Sequence, residues 1–306
     1  MQKITPFLWF NDQAEEAVNF YTSSFQNSKI GHISRYDEAG AKASGRPAGS
    51  VMTASFEISG HQFTALNGGP VFKINPSVSF FVNFDPSKFE NAEDKLDSLW
   101  EKLSNDGLVM MPLDKYPFSE HYGWVQDKFG VSWQLMLTNP EGEERPFIIP
   151  SLMFVGNVCG KAEEATDFYM SLFDNSKRGL TARYPAGMEF DKEGTVMFTD
   201  FMIENIWFAA MDSGYKHEFS FNEAVSFVVN CEDQKEIDHF WNNLSEGGDP
   251  NAQQCGWLKD KFGISWQIVP KNIGELLNNP DPEKSKRTMT AMLQMKKLDI
   301  EKLKHA

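Results

Sequence analysis

The sequence has few cysteines, few histidines and few basic residues. Its three Cys (Cys159, Cys231 and Cys255) are an odd number without a CxxC spacing, which argues against a disulfide framework and is typical of reduced thiols. Positive charge is scarce, because 29 Lys and Arg stand against 43 Asp and Glu and give a formal net charge of −14. Without clustered Lys and Arg, neither nucleic acid nor an anionic membrane surface is an expected partner.

Long apolar runs are also missing. No run approaches the ~20 apolar residues that a membrane-spanning helix needs. Met1-Gln2-Lys3 leads directly into a strand pattern, without the basic and apolar segments of a signal peptide. We therefore expect a cytoplasmic protein. Hydrophobic residues are nevertheless abundant, at 41% with 26 Phe, so the chain can bury a large core, and its 306 residues favour two domains.

The chain contains an internal repeat. Three motifs occur twice in the same order: residues 14–17 and 162–165 (AEEA), residues 78–83 and 225–230, and residues 123–134 and 256–267. The last pair is identical at nine of twelve positions. The offset between copies falls from 147 to 133, so repeat two lacks about fourteen residues of the loop Val109–His121. We predict a first domain over residues 1–140, a linker over 141–148, a second domain over 149–270 and a tail over 271–306.

Each repeat shows the same order of patterns twice, a strand, a helix and then three strands. In the first helix, Ala17, Phe20, Tyr21 and Phe25 recur at three- and four-residue steps, as in the buried stripe of an amphipathic helix. Four βαβββ units are therefore predicted. The tail is predicted to be helical, because Asp281-Pro282 is typical of a helix start. We expect it to pack across the two domains with its lysines in solvent, although a free basic helix is the alternative.

Paired βαβββ units of this kind resemble the vicinal oxygen chelate superfamily, which includes glyoxalase and extradiol dioxygenases. The motifs PFLWF at residues 6–10 and GWVQDKFGVSWQ at 123–134 are similar to its PhnB-like branch. The resemblance implies an α+β fold of two tandem domains with two cupped mixed sheets, in which the two units of one repeat form one sheet with its helices outside. It also implies an intramolecular pseudo-dimer of the two repeats, with a small-molecule pocket in each cup. Whether the chain forms a further homodimer stays open.

The PhnB-like branch is traditionally labelled "3-demethylubiquinone-9 3-methyltransferase domain", and the sequence does not support methyl transfer. A methyltransferase that uses S-adenosylmethionine usually has a glycine-rich loop between a strand and a helix. Here Asn67-Gly68-Gly69-Pro70 precedes a strand, and Gly247-Gly248 lies at a predicted helix end. We therefore expect no such cofactor.

Metal-dependent members of the superfamily place His and Glu on the first and last strands of their units, because imidazole and carboxylate bind divalent ions. At the corresponding positions this chain has Pro6 and Pro150, and Gln134 and Gln267. PhnB-like relatives often carry a His after a Val-Met pair, where this chain has Thr53 and Phe198. We expect neither domain to hold a catalytic metal.

Two residues of the long loop in repeat one are candidate catalytic groups, Glu120 and His121. They alternate on an extended chain, so only one of them can face the cup. An inward Glu120 beside Trp124 and Gln134 could serve as a general base, and an inward His121 as an acid or base near neutral pH. The alternative is that the loop only shields an apolar ligand, with both side chains in solvent.

The other candidate residues are expected to bind a ligand. Trp9, Phe63, Trp124 and Gln134 belong to repeat one, and Cys255, Trp257 and Gln267 take the equivalent place in repeat two. By the superfamily pattern the two Gln face inward, so their neighbours Trp133 and Trp266 face away. The favoured function is metal-independent binding of a small molecule in an aromatic cup of the first domain. The alternative is an enzyme acting on a small oxygenated substrate.

Overall fold

The computed structural model describes residues 2–277 and 279–306. Repeat one contains β1 (Ile4–Phe10), α1 (Ala14–Ser24), β2 (Ser28–Arg35), α2 (Glu38–Ser44), β3 (Val51–Ile58), β4 (His61–Asn67), β5 (Val78–Phe84), α3 (Ala92–Ser104), β6 (Leu108–Tyr116), β7 (Ser119–Gln126) and β8 (Ser132–Leu137). Repeat two contains β9 (Ile148–Phe154), α4 (Ala162–Leu172), β10 (Lys177–Arg183), β11 (Val196–Ile203), β12 (Ile206–Asp212), β13 (Val225–Cys231), α5 (Gln234–Ser245), β14 (Trp257–Lys259) and β15 (Ser265–Pro270). The tail forms α6 (Ile273–Leu277), α7 (Pro282–Leu293) and α8 (Ile300–Lys304).

These elements confirm the predicted α+β class and its repeated unit. Three units are βαβββ, with α2 as an insertion in the first. The fourth unit, β13–α5–β14–β15, has one strand fewer after its helix. Its missing strand corresponds to β6, in the loop where repeat two is shorter by about fourteen residues. Among the described residues, no helix is long and apolar enough to cross a membrane.

The two sheets are each shared between the repeats. Sheet A has the order β14-β15-β13-β1-β4-β3-β2, and sheet B has the order β10-β11-β12-β9-β5-β8-β7-β6. The expectation that both units of one repeat form one sheet was therefore wrong. The antiparallel pairs β1 with β13 and β5 with β9 join a unit of one repeat to a unit of the other.

The units of one repeat instead pack against each other through the faces that their helices cover. In repeat one this core contains Phe56, Phe63 and Phe80, with ring centroids 5.2 and 5.3 Å apart along the series. Trp133 of β8 continues it, 5.4 Å from Phe80 and 5.5 Å from Tyr21 of α1. Aromatic side chains bury a large apolar area each, so this contact holds the two units of the repeat together.

The same core recurs in repeat two. Phe201, Phe208 and Phe227 follow one another at centroid distances of 5.7 and 5.3 Å. Trp266 lies 5.6 Å from Phe227 and 5.4 Å from Tyr169 of α4. The cores of the two repeats therefore contain the same series of packed aromatic side chains.

A buried aspartate joins the helix to the turn in each repeat. Asp127 accepts hydrogen bonds from Tyr21 Oη (2.8 Å), Trp133 Nε1 (2.8 Å) and the backbone N–H groups of Phe129 and Val131. Asp260 has the same four kinds of donor in repeat two. Burial raises the pKa of each carboxyl to about 6, although the donors act in the opposite direction. The DKFG motif is thus a hairpin turn whose Asp also binds the core.

Candidate functional site

Each sheet has a second face, turned away from its helices, which we call cup A on sheet A and cup B on sheet B. Successive side chains of a strand point to opposite faces, so the residues between the core positions line the cups. Cup B is lined by an apolar cluster that both repeats supply: Phe81, Met111, Tyr116, Tyr122, Trp124, Met136, Ile149, Phe198, Met202, Trp207, Ala209 and Met211. Cup B is therefore an aromatic, methionine-rich surface.

A short polar network crosses the centre of cup B. Tyr122 donates to Gln134 Oε1, with 2.5 Å between the oxygens, and Gln134 Nε2 donates to Ser79 Oγ at 2.7 Å. Ser151 lies directly opposite Ser79 on the neighbouring strand β9. Its buried Oγ has no hydrogen-bond partner among the described residues. A buried hydroxyl without a partner is rare in proteins, so this position can receive a hydrogen bond from a ligand or a water.

Arg145 lies over the other half of cup B. Its Nε donates to Asp200 Oδ2 at 2.6 Å, and its guanidinium carbon lies 3.7 Å from the centre of the Trp207 ring. Asp200 on β11 is itself buried, and its other oxygen accepts a 2.6 Å hydrogen bond from the backbone N–H of Leu180. The linker therefore contributes a cation that is held against the wall of the cup by an ion pair and an aromatic ring.

Cup A has a different lining. Trp9 and Trp257 lie 6.2 Å apart, and Phe7 lies 5.7 Å from Trp257. Gln267 Nε2 donates to Ser226 Oγ at 3.0 Å, as Gln134 does to Ser79 in cup B. The half of cup A formed by the first unit is polar, with Thr53, Ser55, Glu57, Gln62 and Thr64 on β3 and β4.

The exchange of units divides the predicted ligand-binding residues between the two cups. Trp9 was expected beside Trp124 and Gln134, but it lies with Trp257 and Gln267 in cup A. Trp124 and Gln134 are opposite each other in cup B. The inward orientation predicted for Gln134 and Gln267 agrees with the structure, since Trp133 and Trp266 occupy the cores.

Phe63 and Cys255 are placed differently from expectation. Phe63 is buried in the core of repeat one between Phe56 and Phe80, on the face opposite cup A. The strand alternation explains the error, because its neighbours Gln62 and Thr64 are the residues that face the cup. Cys255 precedes β14 at the edge of sheet A, is half-buried, and has a positive φ of 54°.

Glu120 and His121 lie on opposite faces of β7, as alternation requires, and neither reaches Gln134. His121 Nε2 is 2.6 Å from Asp97 Oδ1 of α3, which places the imidazole on the helix side of the sheet. Glu120 is exposed near the β6–β7 turn and forms an ion pair with Lys115 at 2.5 Å. The structure therefore does not bring these two candidates together with the polar network of cup B.

The donor atoms in the cups do not fit a divalent metal ion. Among the described residues, no group of three or more His, Cys, Asp or Glu is placed to hold one. Pro6 and Pro150 do not face the cups, because both line a void of about 10 Å³ with Phe63 and Phe208. The cup faces of β1 and β9 present hydroxyl and apolar side chains instead, which are poor ligands for such ions.

Several residues of cup B were not predicted from the sequence to bind a ligand. Tyr122, Ser151 and Trp207 were not singled out, although each alternates with core positions on its strand. Ser79 offered a signal, because it recurs as Ser226 within the repeated motif. Arg145 offered none, since it lies in a polar linker without regular structure.

Comparison with known proteins agrees with this architecture. The family model described as 3-demethylubiquinone-9 3-methyltransferase matches residues 2–136 and 146–269. These two matches cover most of the chain, one in each repeat. The chain belongs to this family. Among curated protein sequences, none matches the chain.

Three solved structures illustrate the likeness of this family member. A PhnB protein from Bacillus cereus is 44% identical over 45% of this chain and 100% of its own, with a TM-score of 0.39. A protein from Staphylococcus aureus is 34% identical over 45% of this chain and 97% of its own, with a TM-score of 0.18. Glyoxalase I from Zea mays is 12% identical over 88% of this chain and 92% of its own, with a TM-score of 0.52, which shows a common fold alone.

Proposed function

We propose that this protein binds a small molecule in cup B without a metal ion. The observation that carries the proposal is the buried Oγ of Ser151, which lacks a hydrogen-bond partner beside the Tyr122–Gln134–Ser79 network. Around it the wall of the cup is aromatic and rich in methionine. Ligand sites are commonly apolar surfaces with a few placed polar groups, and cup B has this composition.

The composition also indicates the class of ligand. Phe81, Ile149 and Trp207 offer flat and branched apolar surfaces, and methionines adapt to ligands of irregular shape. Ser79, Ser151 and Gln134 offer neutral hydroxyl and amide groups at the centre. Arg145 already forms an ion pair with Asp200, so the cup does not present an unpaired cation there. These groups suit a neutral, largely apolar molecule that carries one or two oxygen atoms.

Neither cofactor implied by related proteins is part of the proposal. Ser, Gln and aromatic side chains lack the carboxylate and imidazole donors that divalent ions prefer. S-adenosylmethionine sites usually contain a glycine-rich loop from a parallel strand to a helix. The parallel strands here are β1 with β4, β5 with β8, β9 with β12, and β13 with β15. Strand β9 leads into α4 through a loop with Gly156 and Gly160, but Asp212 Oδ1 already accepts hydrogen bonds from the N–H groups of Gly160 and Ala162, so these amides are not open to a cofactor.

The alternative, an enzyme that uses Glu120 or His121, is not favoured by a specific contact. His121 is bound to Asp97 on the helix side, and Glu120 is bound to Lys115 in solvent. A general acid or base must come within hydrogen-bond distance of the atom it protonates or deprotonates. Binding in cup B accordingly predicts that Glu120→Gln leaves ligand affinity unchanged.

The test is a titration with the neutral dye N-phenyl-1-naphthylamine followed by fluorescence, together with native mass spectrometry of the purified chain to detect a co-purifying small molecule. We expect one dye molecule per chain. Met202→Glu and Met211→Glu each introduce a charge into cup B, and we expect a loss of affinity of about tenfold or more. Met188→Glu is the matched control, because Met188 is exposed in a loop outside the cup. Dye binding that Met202→Glu and Met211→Glu leave unchanged would contradict the proposal.

A further inference from the structure

The tail takes the position at sheet A that strand β6 takes at sheet B. In sheet B, β6 pairs with β7 and brings Asp114 opposite Tyr122. Cys255 is the repeat-two counterpart of Tyr122, and no strand among the described residues pairs with it in this way. Instead its backbone N–H donates to Met295 O at 2.8 Å, and the N–H of Gly256 donates to Lys296 O at 2.8 Å. The segment after α7 therefore accepts hydrogen bonds from backbone N–H groups at the edge of sheet A.

The apolar side of the tail lies on the cup face of that sheet. Val228 and Val269 alternate with core residues on β13 and β15, on the same face as Ser226 and Gln267. They form one cluster with Met292, Met295 and Leu298 of the tail, together with Leu303 of α8. Leu298 and Leu303 are fully buried there. Apolar burial is thus the main force that holds the tail on cup A.

The tail also contacts repeat one. Helix α7 packs against α2, the helix that connects the edge strand β2 to strand β3 in the chain. Its other end is tied to the edge strand β14, because Gln254 Nε2 donates to Leu293 O at 2.5 Å. A 12-residue helix such as α7 is about 18 Å long, whereas seven strands about 4.8 Å apart are roughly 29 Å wide. Helix α7 therefore covers part of cup A.

Polar contacts anchor the second half of the tail. Gln234 at the start of α5 donates to Leu298 O at 3.1 Å and accepts from the N–H of Ile300 at 2.9 Å. Lys297 forms an ion pair with Asp238 at 2.6 Å. These contacts agree with the expectation that the tail packs across both repeats, since α2 belongs to repeat one and α5 to repeat two.

We propose that the C-terminal tail is an intramolecular cover over the half of cup A that repeat two supplies, where it lies on Val228 and Val269. Release of the tail exposes Val228 and Val269 and makes this half of cup A a second binding site, beside a half that is more polar than cup B. The claim of a second binding site rests on the proposed function of cup B, whereas the claim that the tail covers part of cup A does not. Displacement of one segment, α7 to α8, therefore changes how much of cup A a ligand can reach.

The test of the cover uses the thiol of Cys255 as a reporter. This side chain is half-buried, and the backbone at this position is hydrogen-bonded to the tail. Met292→Glu combined with Met295→Glu places two charges in the contact with Val228 and Val269 while the full chain is kept. We expect the rate at which Ellman's reagent labels Cys255 to rise about tenfold or more. Peptide mass spectrometry assigns the label, with the buried Cys231 as the internal reference.

Two further variants make the result specific. Met188→Glu combined with Met197→Glu is the matched control, because both side chains are exposed in repeat two away from the tail. A chain truncated after residue 280 lacks α7 and α8 and should show the same fast labelling as the tail variant. Hydrogen exchange should also accelerate at the amides of Cys255 and Gly256. An unchanged labelling rate in the folded tail variant overturns the cover.

The second-site claim is tested by dye stoichiometry. We expect one N-phenyl-1-naphthylamine molecule per wild-type chain and two per tail variant. Adding Val228→Glu, which charges the face of cup A, should remove the second molecule alone. Fast labelling with a stoichiometry that stays at one overturns the second site but supports the cover. Absence of dye binding to the wild-type chain counts against the function of cup B, while the labelling arm still decides the cover.

Discussion

Cup A and cup B are built from equivalent strands in the same register. One half of cup A comes from the first unit of repeat one, and the equivalent half of cup B comes from the first unit of repeat two, yet these halves carry different side chains. Five cup-facing positions of β3 and β4 correspond to five of β11 and β12 at a constant offset of 145. The pairs are Thr53 with Phe198, Ser55 with Asp200, Glu57 with Met202, Gln62 with Trp207 and Thr64 with Ala209. Cup A is polar in this half, and cup B is mainly apolar.

The core faces of the same strands differ far less. Phe56 and Phe63 correspond to Phe201 and Phe208, again at an offset of 145. Alternate residues of a strand face opposite sides, so one side can be held constant while the other varies. The core must remain close-packed for stability, whereas a cup face can change with its ligand or its cover. The comparison therefore separates what the fold needs from what each cup does.

One pair shows how a structural position acquires a second role. The strand pairing is irregular at one point in each edge hairpin. In β2–β3 of sheet A the irregularity lies between Ile30 and Ile33, and in β10–β11 of sheet B it lies between Arg178 and Thr181. Ser55 Oγ accepts from the N–H of His32 at that point in sheet A. In sheet B, Asp200 accepts the equivalent hydrogen bond from the N–H of Leu180. Its carboxylate also binds Arg145 and keeps the guanidinium over the Trp207 ring.

The largest expected effect tests whether the cores are equivalent. Asp127→Ala and Asp260→Ala each remove a buried acceptor and leave a Tyr hydroxyl, a Trp N–H and two backbone N–H groups without it. We expect each substitution to lower the free energy of unfolding by about 3–5 kcal/mol. Urea denaturation followed by circular dichroism measures the loss. Clearly unequal losses would break the equivalence of the two cores.

The next effect tests a difference between the cups. Arg145→Ala leaves the carboxylate of Asp200 buried without its cation, and we expect a cost of about 3 kcal/mol in the free energy of unfolding. The counterpart of Asp200 in cup A is a neutral side chain, so Ser55→Ala should cost about 1 kcal/mol, the value of one hydrogen bond. Arg145→Met combined with Asp200→Ser serves as the control and should recover most of the loss, because Ser can accept from the Leu180 N–H as Ser55 does from the His32 N–H. Equal costs for Arg145→Ala and Ser55→Ala would contradict this distinction.

The smallest effect concerns a glycine that both repeats keep for different reasons. A Cβ on Gly123 would lie 2.5 Å from Trp100 of α3, whereas Gly256 has a φ of +88° and lies against Ile268 O and Leu298. Either change to Ala should cost about 1–3 kcal/mol, through overpacking at Gly123 and through backbone strain at Gly256. Thermal denaturation of Gly123→Ala with Trp100→Leu should show partial rescue. Rescue of Gly256→Ala by the same Trp100→Leu would contradict the assignment.

Much of the fold could be predicted from local patterns. The repeat revealed four equivalent units, and three- and four-residue periodicity located helices such as α1. Asp281 and Asp299 accept hydrogen bonds from the first turns of α7 and α8, as their capping positions predict. Alternation along β8 and β15 placed Trp133 and Trp266 opposite Gln134 and Gln267. These features depend on neighbours in sequence, which is why they could be inferred.

The candidate site depended on contacts that are distant in sequence. Glu120 and His121 were reasonable candidates by residue type, but α3 holds His121 through Asp97, and solvent surrounds Glu120. The linker residue Arg145 reaches cup B only because Asp200 and Trp207 lie beneath it. No periodicity or spacing in the sequence predicts a contact between these three residues.

The sequence by itself determined the repeated strand–helix unit, the faces of its strands and the amides at the centre of each cup. Only the tertiary structure decided which units share a sheet and what covers each cup. The reason is physical. Alternation and amphipathicity are local, whereas the antiparallel pairs β1–β13 and β5–β9 and the docking of the tail on Val228 and Val269 are chosen by long-range burial of apolar surface.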